Sequence, residues 1–291
     1  MSLIKKFSYA ICACLAGYAL FYFCHKQTSG FQITKICSHM DFDPRWEITH
    51  SSEEIEQLKK IFESPFYFLG KGGQTYAFYS QEGEFVLKLV KMNNLRQYPL
   101  LYRLFFPFPY ESLRLKLLLH QKHKLERMFS ASLIAYQVLP EESALIALNL
   151  NPNPQLKDLT ITLVDKLGIA HKISLGNIPF ALQKKGERAI SKLQSLIEKG
   201  DLEEGRNLLK KIVYFLRLRQ AKGFGDYDLC IRRNMGVLQD STPFFIDIGG
   251  FMAQKPDSLP SLAQETLSLH DWLASRSPEL QGYLQELISS Q

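Results

Sequence analysis

Hydrophobic and polar residues follow the periods of both strands and helices along this chain. Short runs rich in aromatic and β-branched residues, bounded by glycine or proline, predict strands, and apolar residues at helical spacing predict helices. The predicted strands lie at 66–69, 85–90, 160–165, 171–175 and 180–183. The predicted helices lie at 51–62, 111–137, 187–198, 203–220, 261–275 and 278–289. This mixture predicts an α+β fold class.

The N-terminal segment has the pattern of a membrane anchor. Positions 7–24 are 18 residues without a charge, close to the roughly 20 residues of a membrane span. Its end, Tyr22-Phe23-Cys24, lacks the small residues of a signal-peptide cleavage site. We therefore expect an uncleaved single-pass anchor and a membrane localisation. The side of the main domain stays open, because Lys5 and Lys6 on one flank are opposed by Lys26 and Lys35 on the other.

Composition excludes several classes of protein. A hydrophobic fraction of 46% over 291 residues is ample for a core, so the chain is not disordered. The net charge of +6 is too small to argue for nucleic acid, and no nucleic-acid-binding signature is present, so we expect no nucleic-acid partner. The five cysteines contain no C-x-x-C pair, which excludes the common zinc and thioredoxin patterns.

Three polar side chains stand out near the C-terminal end of the chain. Asn234 follows Asp228 by six positions, and Asp247 follows Asn234 by thirteen. Two short strands about a polar turn are predicted between Asn234 and Asp247. Such a hairpin would hold Asn234 at its entrance and Asp247 at its exit, so that both could face one ion. A hard cation such as Mg²⁺ prefers oxygen ligands of this kind.

A glycine turn with a strand lysine lies nearer the N-terminus. Gly70, Gly72 and Gly73 separate two β-prone runs, and backbone N–H groups at such a turn can approach phosphate oxygens. Lys88 is a charged residue inside an apolar strand, 18 positions after Gly70. A plain hairpin with a solvent-facing lysine is the alternative interpretation.

Together these segments resemble the active centre of the protein-kinase-like superfamily. That family has a glycine-rich loop, a strand lysine, a helix glutamate, a catalytic Asp, a metal-binding Asn and an Asp-Phe-Gly motif, in this order. The resemblance implies that Lys88 contacts the nucleotide phosphates and that Asn234 and Asp247 bind Mg²⁺. It also implies that Asp228 accepts or orients the acceptor hydroxyl, with Asp226 as its rival.

The resemblance assigns two further positions. Glu142, in a helix predicted to begin at Pro140, would pair with Lys88, with Glu141 and then Glu126 as alternatives. Gln183 precedes the break that would be the hinge between lobes, and it would line the nucleotide pocket. The chain departs from the family pattern in three ways: the usual His-Arg before the catalytic Asp is missing, Ile248 replaces the motif's Phe, and the lobe after Asp247 is short.

The expected architecture is a bilobal α+β protein-kinase-like fold behind one transmembrane helix. Its predicted parts are an anchor at 1–26, a linker at 27–50, an N-lobe with an antiparallel sheet and an inserted helical segment at 51–183, and a small helical C-lobe at 184–291. The aromatic- and proline-rich stretch at 98–110 is predicted to pack against a lobe or to contact a membrane surface.

The expected function is ATP-dependent phosphoryl transfer, with ATP and Mg²⁺ as cofactors. The expected partners are a nucleotide, a protein, sugar or lipid acceptor, and the membrane through the N-terminal segment. The alternative is a catalytically weak or inactive pseudokinase that serves as a membrane-tethered binding module.

Overall fold

The computed structural model describes residues 3–94, 110–228, 230–254 and 258–290. The chain divides into two compact units, each discontinuous in sequence. The first unit comprises Met1–Asp43, Thr49–Asn94 and Asn151–Phe180, and the second comprises Pro44–Ile48, Leu95–Leu150 and Ala181–Gln291. All but the last residue of the aromatic- and proline-rich stretch falls outside the described residues.

The N-terminal segment forms helix α1 (Leu3–Gln27). Within the part of the chain that the structure describes, no helix is long and apolar enough to cross a membrane. The predicted single-pass anchor and the membrane localisation based on it are therefore wrong. The prediction relied on the absence of charge over positions 7–24.

The first unit is built on five strands and helix α2 (Ser52–Glu63). The strands are β1 (Phe66–Lys71), β2 (Thr75–Ser80), β3 (Phe85–Val90), β5 (Thr160–Val164) and β6 (Ala170–Ser174). Their order within this unit is β3-β2-β1-β5-β6. The β1–β2, β2–β3 and β5–β6 pairs are antiparallel, as hairpins must be.

The β1–β5 pair is parallel, with Phe66 opposite Leu163 and Tyr67 opposite Val164. The sheet is therefore mixed, because β5 reaches β1 only after a long excursion of the chain and arrives in the same direction. The predicted fold class, a bilobal kinase-like fold with an antiparallel N-lobe sheet behind a transmembrane helix, is wrong on both the sheet and the helix. The described chain is a mixed α/β structure.

Aromatic side chains form the core of the first unit. Phe31 packs edge-on against Tyr76 and Phe78, at ring-centroid distances of 5.3 and 5.1 Å. Phe62 of α2 packs against Phe66 of β1 at 5.6 Å. Phe66 and Phe78 are fully buried, so the segment after α1 and helix α2 both contribute to this core.

The second unit contains the remaining elements. The longer helices are α3 (Tyr110–Gln137), α5 (Ala189–Lys199), α6 (Leu202–Ala221), α8 (Leu262–Ala274) and α9 (Pro278–Ser289), and the one-turn helices are α4 (Pro140–Ser143) and α7 (Ile231–Asn234). The strands are β4 (Leu145–Asn149), β7 (Phe180–Lys184), β8 (Glu187–Arg188), β9 (Phe224–Asp226), β10 (Met235–Val237), β11 (Pro243–Phe245) and β12 (Phe251–Ala253). Strand β4 neighbours β7, β10 lies between β11 and β8, and β12 pairs with β9.

The helix predicted to begin at Pro140 is shorter than its pattern indicated. It ends after one turn because Ala144 adopts a left-handed conformation, with φ of 51°. The apolar residues Leu145 and Leu148, read as a helical stripe, belong to strand β4 instead. Short apolar runs do not distinguish strand from helix by spacing alone.

A capping box fixes the start of α2. Ser51 Oγ accepts a hydrogen bond from Glu54 N (3.1 Å), and Glu54 Oε2 accepts one from Ser51 N (2.8 Å). We expect Ser51→Ala to lower the free energy of unfolding by about 1 kcal/mol, because the helix loses a capping acceptor. Urea unfolding monitored by circular dichroism measures this. The neighbouring Ser52→Ala is the control, and an equal loss in both variants would refute the cap's contribution.

Candidate functional site

The pairing of β9 with β12 brings two acidic turns of the second unit together. Phe251 lies opposite Asp226 in this antiparallel pair, and Tyr227 N donates to Gly250 O at 3.0 Å. A Cβ atom at Gly250 would lie 1.9 Å from Asp226 Oδ1. The close approach therefore requires glycine at this position, and the Asp226–Asp228 turn and the turn after Asp247 are neighbours.

Asp226 is the least exposed carboxylate of this group. Its Oδ1 accepts a hydrogen bond from Asp228 N at 2.9 Å. Burial raises the pKa of Asp226 above its usual value, and the negative charges of Asp247 and Asp228 raise it further. The Asp228 N–H and the positive charge of Arg219 oppose this increase in pKa. The three carboxylates thus concentrate negative charge that a cation would balance.

Asn234 holds the loop that follows Asp226. Its Nδ2 donates to the backbone carbonyl of Asp228 at 2.7 Å, which leaves its side-chain oxygen available as a ligand. The side chain of Asp228 is 72% exposed and lies 3.5 Å from the guanidinium of Arg233, whose side chain is 66% exposed. A contact between two exposed charges is weak, so Asp228 stays accessible to a substrate.

The predicted hairpin between Asn234 and Asp247 is present. Strands β10 and β11 pair with Met235 opposite Phe245, and Ile246 N donates to Asn234 O at 2.7 Å. Asn234 and Asp247 consequently lie at the open end of one hairpin. Asp247 Oδ1 accepts from Gly249 N at 3.0 Å. Over the residues that the structure describes, no group of three or more His, Cys, Asp or Glu side chains could hold a metal ion by itself.

Arg219 is the buried basic residue next to this site. Its guanidinium is fully buried, forms an ion pair with Glu265, and lies 5.2 Å from the centroid of Phe245. Its positive charge also acts on the Asp226 carboxylate. Residues from α6, α8 and β11 therefore fix one cation beneath the acidic turns.

Glu142 and Gln183 are both buried in the second unit, where each has protein partners. Glu142 Oε1 pairs with Lys222 Nζ, whereas the predicted partner Lys88 belongs to the first unit. Gln183 Nε2 donates to Ser143 O at 2.7 Å and to the carbonyl of Phe245 at 3.2 Å. The assigned roles of Glu142 and Gln183 towards a nucleotide stay predictions.

The glycine turn of the first unit connects β1 to β2. Gly72 N donates to Thr75 O at 2.9 Å and closes the turn, while Gly70 pairs across the strands with Ala77. Lys88 lies directly opposite Ala77 on β3, so Lys88 and Ala77 share one face of the sheet. Gly73 is exposed in the turn.

The sequence interpretation missed two groups of basic residues. One is a cleft of about 490 Å³ in the second unit, which we call the arginine cleft. It is lined by Arg188, Ile190, Cys230, Arg232, Arg233 and Trp272. Arg232 and Arg233 are adjacent in sequence, but nothing in the local pattern connects Arg188 with them. The pairing of β8 with β10 brings Arg188 opposite Gly236.

The other group lies in the first unit and consists of Lys35, Lys71 and Lys91, which we call the lysine cluster. Lys91 Nζ donates to Gly72 O and lies 4.6 Å from the centroid of the Tyr76 ring. No signal in the sequence connects these lysines, which are separated by at least twenty positions.

Comparisons with known proteins give only distant matches. No protein-family profile matches the chain, and no curated protein matches its sequence. The chain is similar to the crystal structure of WbdD, at 13% identity and a TM-score of 0.34, over 74% of this chain and 43% of that one. It thus spans less than half of the WbdD chain.

A second match is the structure of Rv3197 in complex with erythromycin, from Mycobacterium tuberculosis. It has 13% identity and a TM-score of 0.32, and covers 98% of this chain and 75% of that one. At TM-scores this low the similarity carries no argument, so the chemistry of the site rests on the residues of this chain.

The raised pKa of Asp226 gives a pH-dependent prediction. A carboxyl group whose pKa is higher in the folded state favours folding at low pH, and this contribution is lost as the pH rises through the folded-state pKa. We expect Asp226→Asn, which keeps the acceptor for Asp228 N, to raise the melting temperature at pH 7.5 by roughly 2–4 °C. The difference should shrink as the pH falls and Asp226 becomes protonated.

Asp240→Asn is the matched control for this experiment. The Thr242 N–H lowers the pKa of Asp240, so its charged form is the one that favours folding. Its substitution should have no effect or a small effect of opposite sign at pH 7.5. Differential scanning fluorimetry across the pH range measures both variants, and a lower melting temperature for Asp226→Asn at pH 7.5 would contradict the prediction.

Proposed function

We propose that this chain catalyses ATP-dependent phosphoryl transfer to a hydroxyl group, with Asp228, Asn234 and Asp247 in the central roles. The observation that carries the proposal is the hydrogen bond from Asn234 Nδ2 to the carbonyl of Asp228. This bond joins the loop that carries Asp228 to the hairpin that carries Asp247. Phosphoryl transfer depends mainly on positioning and on neutralising phosphate charge, and a fixed loop of this kind supplies positioning.

The residues fit a magnesium ion. Mg²⁺ is usually held by one or two carboxylates together with phosphate oxygens. Asp247 offers a carboxylate, and Asn234 offers its side-chain oxygen because its nitrogen is already bonded to Asp228 O. Burial raises the pKa of Asp226, and the negative charges of Asp247 and Asp228 raise it further; a bound cation would offset those charges. When bound, the ion would neutralise charge on the phosphates.

Asp228 is the residue that we assign to the acceptor hydroxyl. In the proposed reaction the hydroxyl oxygen forms a bond to the γ-phosphorus of ATP, and the bond from that phosphorus to the β–γ bridging oxygen breaks. The hydroxyl proton passes to the carboxylate of Asp228, and ADP leaves. Asp228 is preferred to Asp226 because its carboxylate is exposed, whereas Asp226 is partly buried and accepts a backbone hydrogen bond.

The arginine cleft favours an acceptor that carries negative charge. Arg233 lines the cleft and contacts Asp228 at 3.5 Å, so the cleft begins beside the proposed base. Arg188 and Arg232 form no ion pair with any described residue. Guanidinium groups bind phosphate and carboxylate through paired hydrogen bonds, which suits a phosphorylated or acidic sugar, lipid or protein.

Binding of Mg-ATP to the full chain tests the first step. The glycine turn at Gly70, Gly72 and Gly73 and the lysine at position 88 are proposed to contact the phosphates. We expect Lys88→Ala to weaken Mg-ATP binding by about tenfold or more, which corresponds to about 1.4 kcal/mol. Isothermal titration calorimetry measures this, and unchanged affinity in a folded Lys88→Ala protein would refute the assignment.

Release of phosphate from ATP tests the transfer step. We expect Asp247→Asn to reduce the rate by at least about a hundredfold, because the carboxylate proposed to hold the metal is lost. Asp240→Asn is the control: like Asp247, Asp240 accepts a hydrogen bond from the backbone N–H two residues ahead. Equal rates in the wild type and in Asp247→Asn would contradict the transfer proposal.

A second candidate is a nucleotide-binding module without transfer activity. The observation that favours it is the ion pair of Glu142 with Lys222, since Glu142 was expected to hold the strand lysine. This candidate predicts that the wild type binds Mg-ATP while phosphate release stays at the background level of Asp247→Asn. The two measurements above therefore separate the two candidates.

A further inference from the structure

The lysine cluster has more positive charge than its surroundings balance. Lys91 is only 8% exposed, and lysine is rarely buried unless it is paired with an acid. None of Lys35, Lys71 and Lys91 forms an ion pair with a residue that the structure describes. A buried ammonium group without a counter-charge is costly, so this region of the first unit lacks a negative partner.

Neighbouring carbonyls hold two of the three ammonium groups in place. Gly30 O accepts from Lys35 Nζ at 2.7 Å and from the Tyr76 hydroxyl at 2.6 Å. Lys91 Nζ donates to Gly72 O and lies over the face of the same Tyr76 ring, 4.6 Å from its centroid. Lys35 and Lys91 therefore flank one tyrosine, and each has N–H donors left for a ligand because an ammonium group has three.

Strand pairing places Lys71 beside the same tyrosine, because Lys71 lies directly opposite Tyr76 in the β1–β2 pair. Burial lowers the pKa of Lys91, and the charges of Lys71 and Lys35 lower it further. Burial lowers the pKa of Lys35 in the same way, with Lys71 as the second cause. A bound anion would relieve both the burial cost and the repulsion.

The cluster is separate from Lys88. Tyr76 lies opposite Leu89, whereas Lys88 lies opposite Ala77. Because successive side chains of a strand point to opposite faces, Tyr76 and Lys88 lie on opposite faces of the sheet. The cluster thus occupies the face that also carries Phe31. It borders the glycine turn, because Lys91 Nζ donates to Gly72 O, but the proposed function assigns none of its three lysines.

One further polar group at this place lacks a partner. The side-chain oxygen of Gln74 is buried and accepts no hydrogen bond, while the backbone carbonyl of Gln74 accepts from Lys91 N at 2.8 Å. If the Gln74 amide group rotated by half a turn, its N–H donors would replace the unpaired oxygen and could donate to a bound anion.

We propose that Lys35, Lys71 and Lys91 form a binding site for a phosphate-bearing anion on this face of the first unit. A phosphate group with two or more negative charges balances several ammonium groups at once, whereas a single carboxylate balances only one. This inference goes beyond the proposed function, which uses the neighbouring glycine turn but assigns no role to these lysines.

Pyrophosphate is the probe for this site, measured by isothermal titration calorimetry on the full chain at constant ionic strength. We expect the wild type to bind it and Lys35→Met/Lys91→Met to bind about tenfold more weakly or worse. Methionine keeps most of the length and the apolar stem of lysine. The matched control Lys60→Met/Lys172→Met removes two exposed lysines of the same unit and should leave the dissociation constant within about twofold.

Two further variants distinguish this site from the other phosphate-binding regions. Lys88→Ala and Arg188→Ala/Arg232→Ala should both retain most of the pyrophosphate binding if the lysine cluster is the site. Where substitution of the buried Lys91 prevents folding, Lys35→Met/Lys71→Met provides the same test with the more exposed residues. Failure of the wild type to bind, or equal binding by wild type and cluster variants, would overturn the inference without affecting the proposed function.

Discussion

The buried guanidinium of Arg219 is the interaction on which the candidate site depends. It is fully buried in α6, pairs with Glu265 of α8, and lies against the ring of Phe245 in β11. A buried ion pair gives weak net stabilisation, but the loss of either partner leaves an unpaired charge in the interior and is strongly destabilising. Arg219 therefore fixes how the two helices and the hairpin pack, and its charge partly offsets the cost of an acidic turn above it.

The acidic turns themselves illustrate a compromise between stability and chemistry. The pairing of β9 with β12 holds the Asp226 turn beside the turn after Asp247. Burial raises the pKa of Asp226, and the negative charges of Asp247 and Asp228 raise it further. This arrangement costs stability, because burial and the neighbouring negative charges disfavour the ionised form of Asp226. Such strain is typical of functional sites, where charge is arranged for a ligand. The arginine cleft beside Asp228 and the lysine cluster of the first unit carry the complementary sign, which suits anionic ligands.

Much of the local structure could be predicted from the sequence. The hairpin between Asn234 and Asp247, the hairpin of β5 and β6, and most helices follow from periodicity and capping residues. The predictions failed where the local sequence pattern does not determine the structure. An uncharged stretch is not necessarily a membrane span, a short apolar run after Pro140 formed a strand, and the direction of β5 beside β1 depends on chain connections that no local pattern contains.

The sequence alone determined which residue types were available and how far apart they lie along the chain. It predicted the hairpin that joins Asn234 to Asp247, because hairpin and turn signals are local and act within a few residues. Only the tertiary structure decided the partners: Glu142 pairs with Lys222, and Lys35 and Lys91 meet at Tyr76. Contacts of this kind join residues tens of positions apart, and packing rather than propensity selects them. For that reason charge clusters without a sequence motif became visible only in the fold.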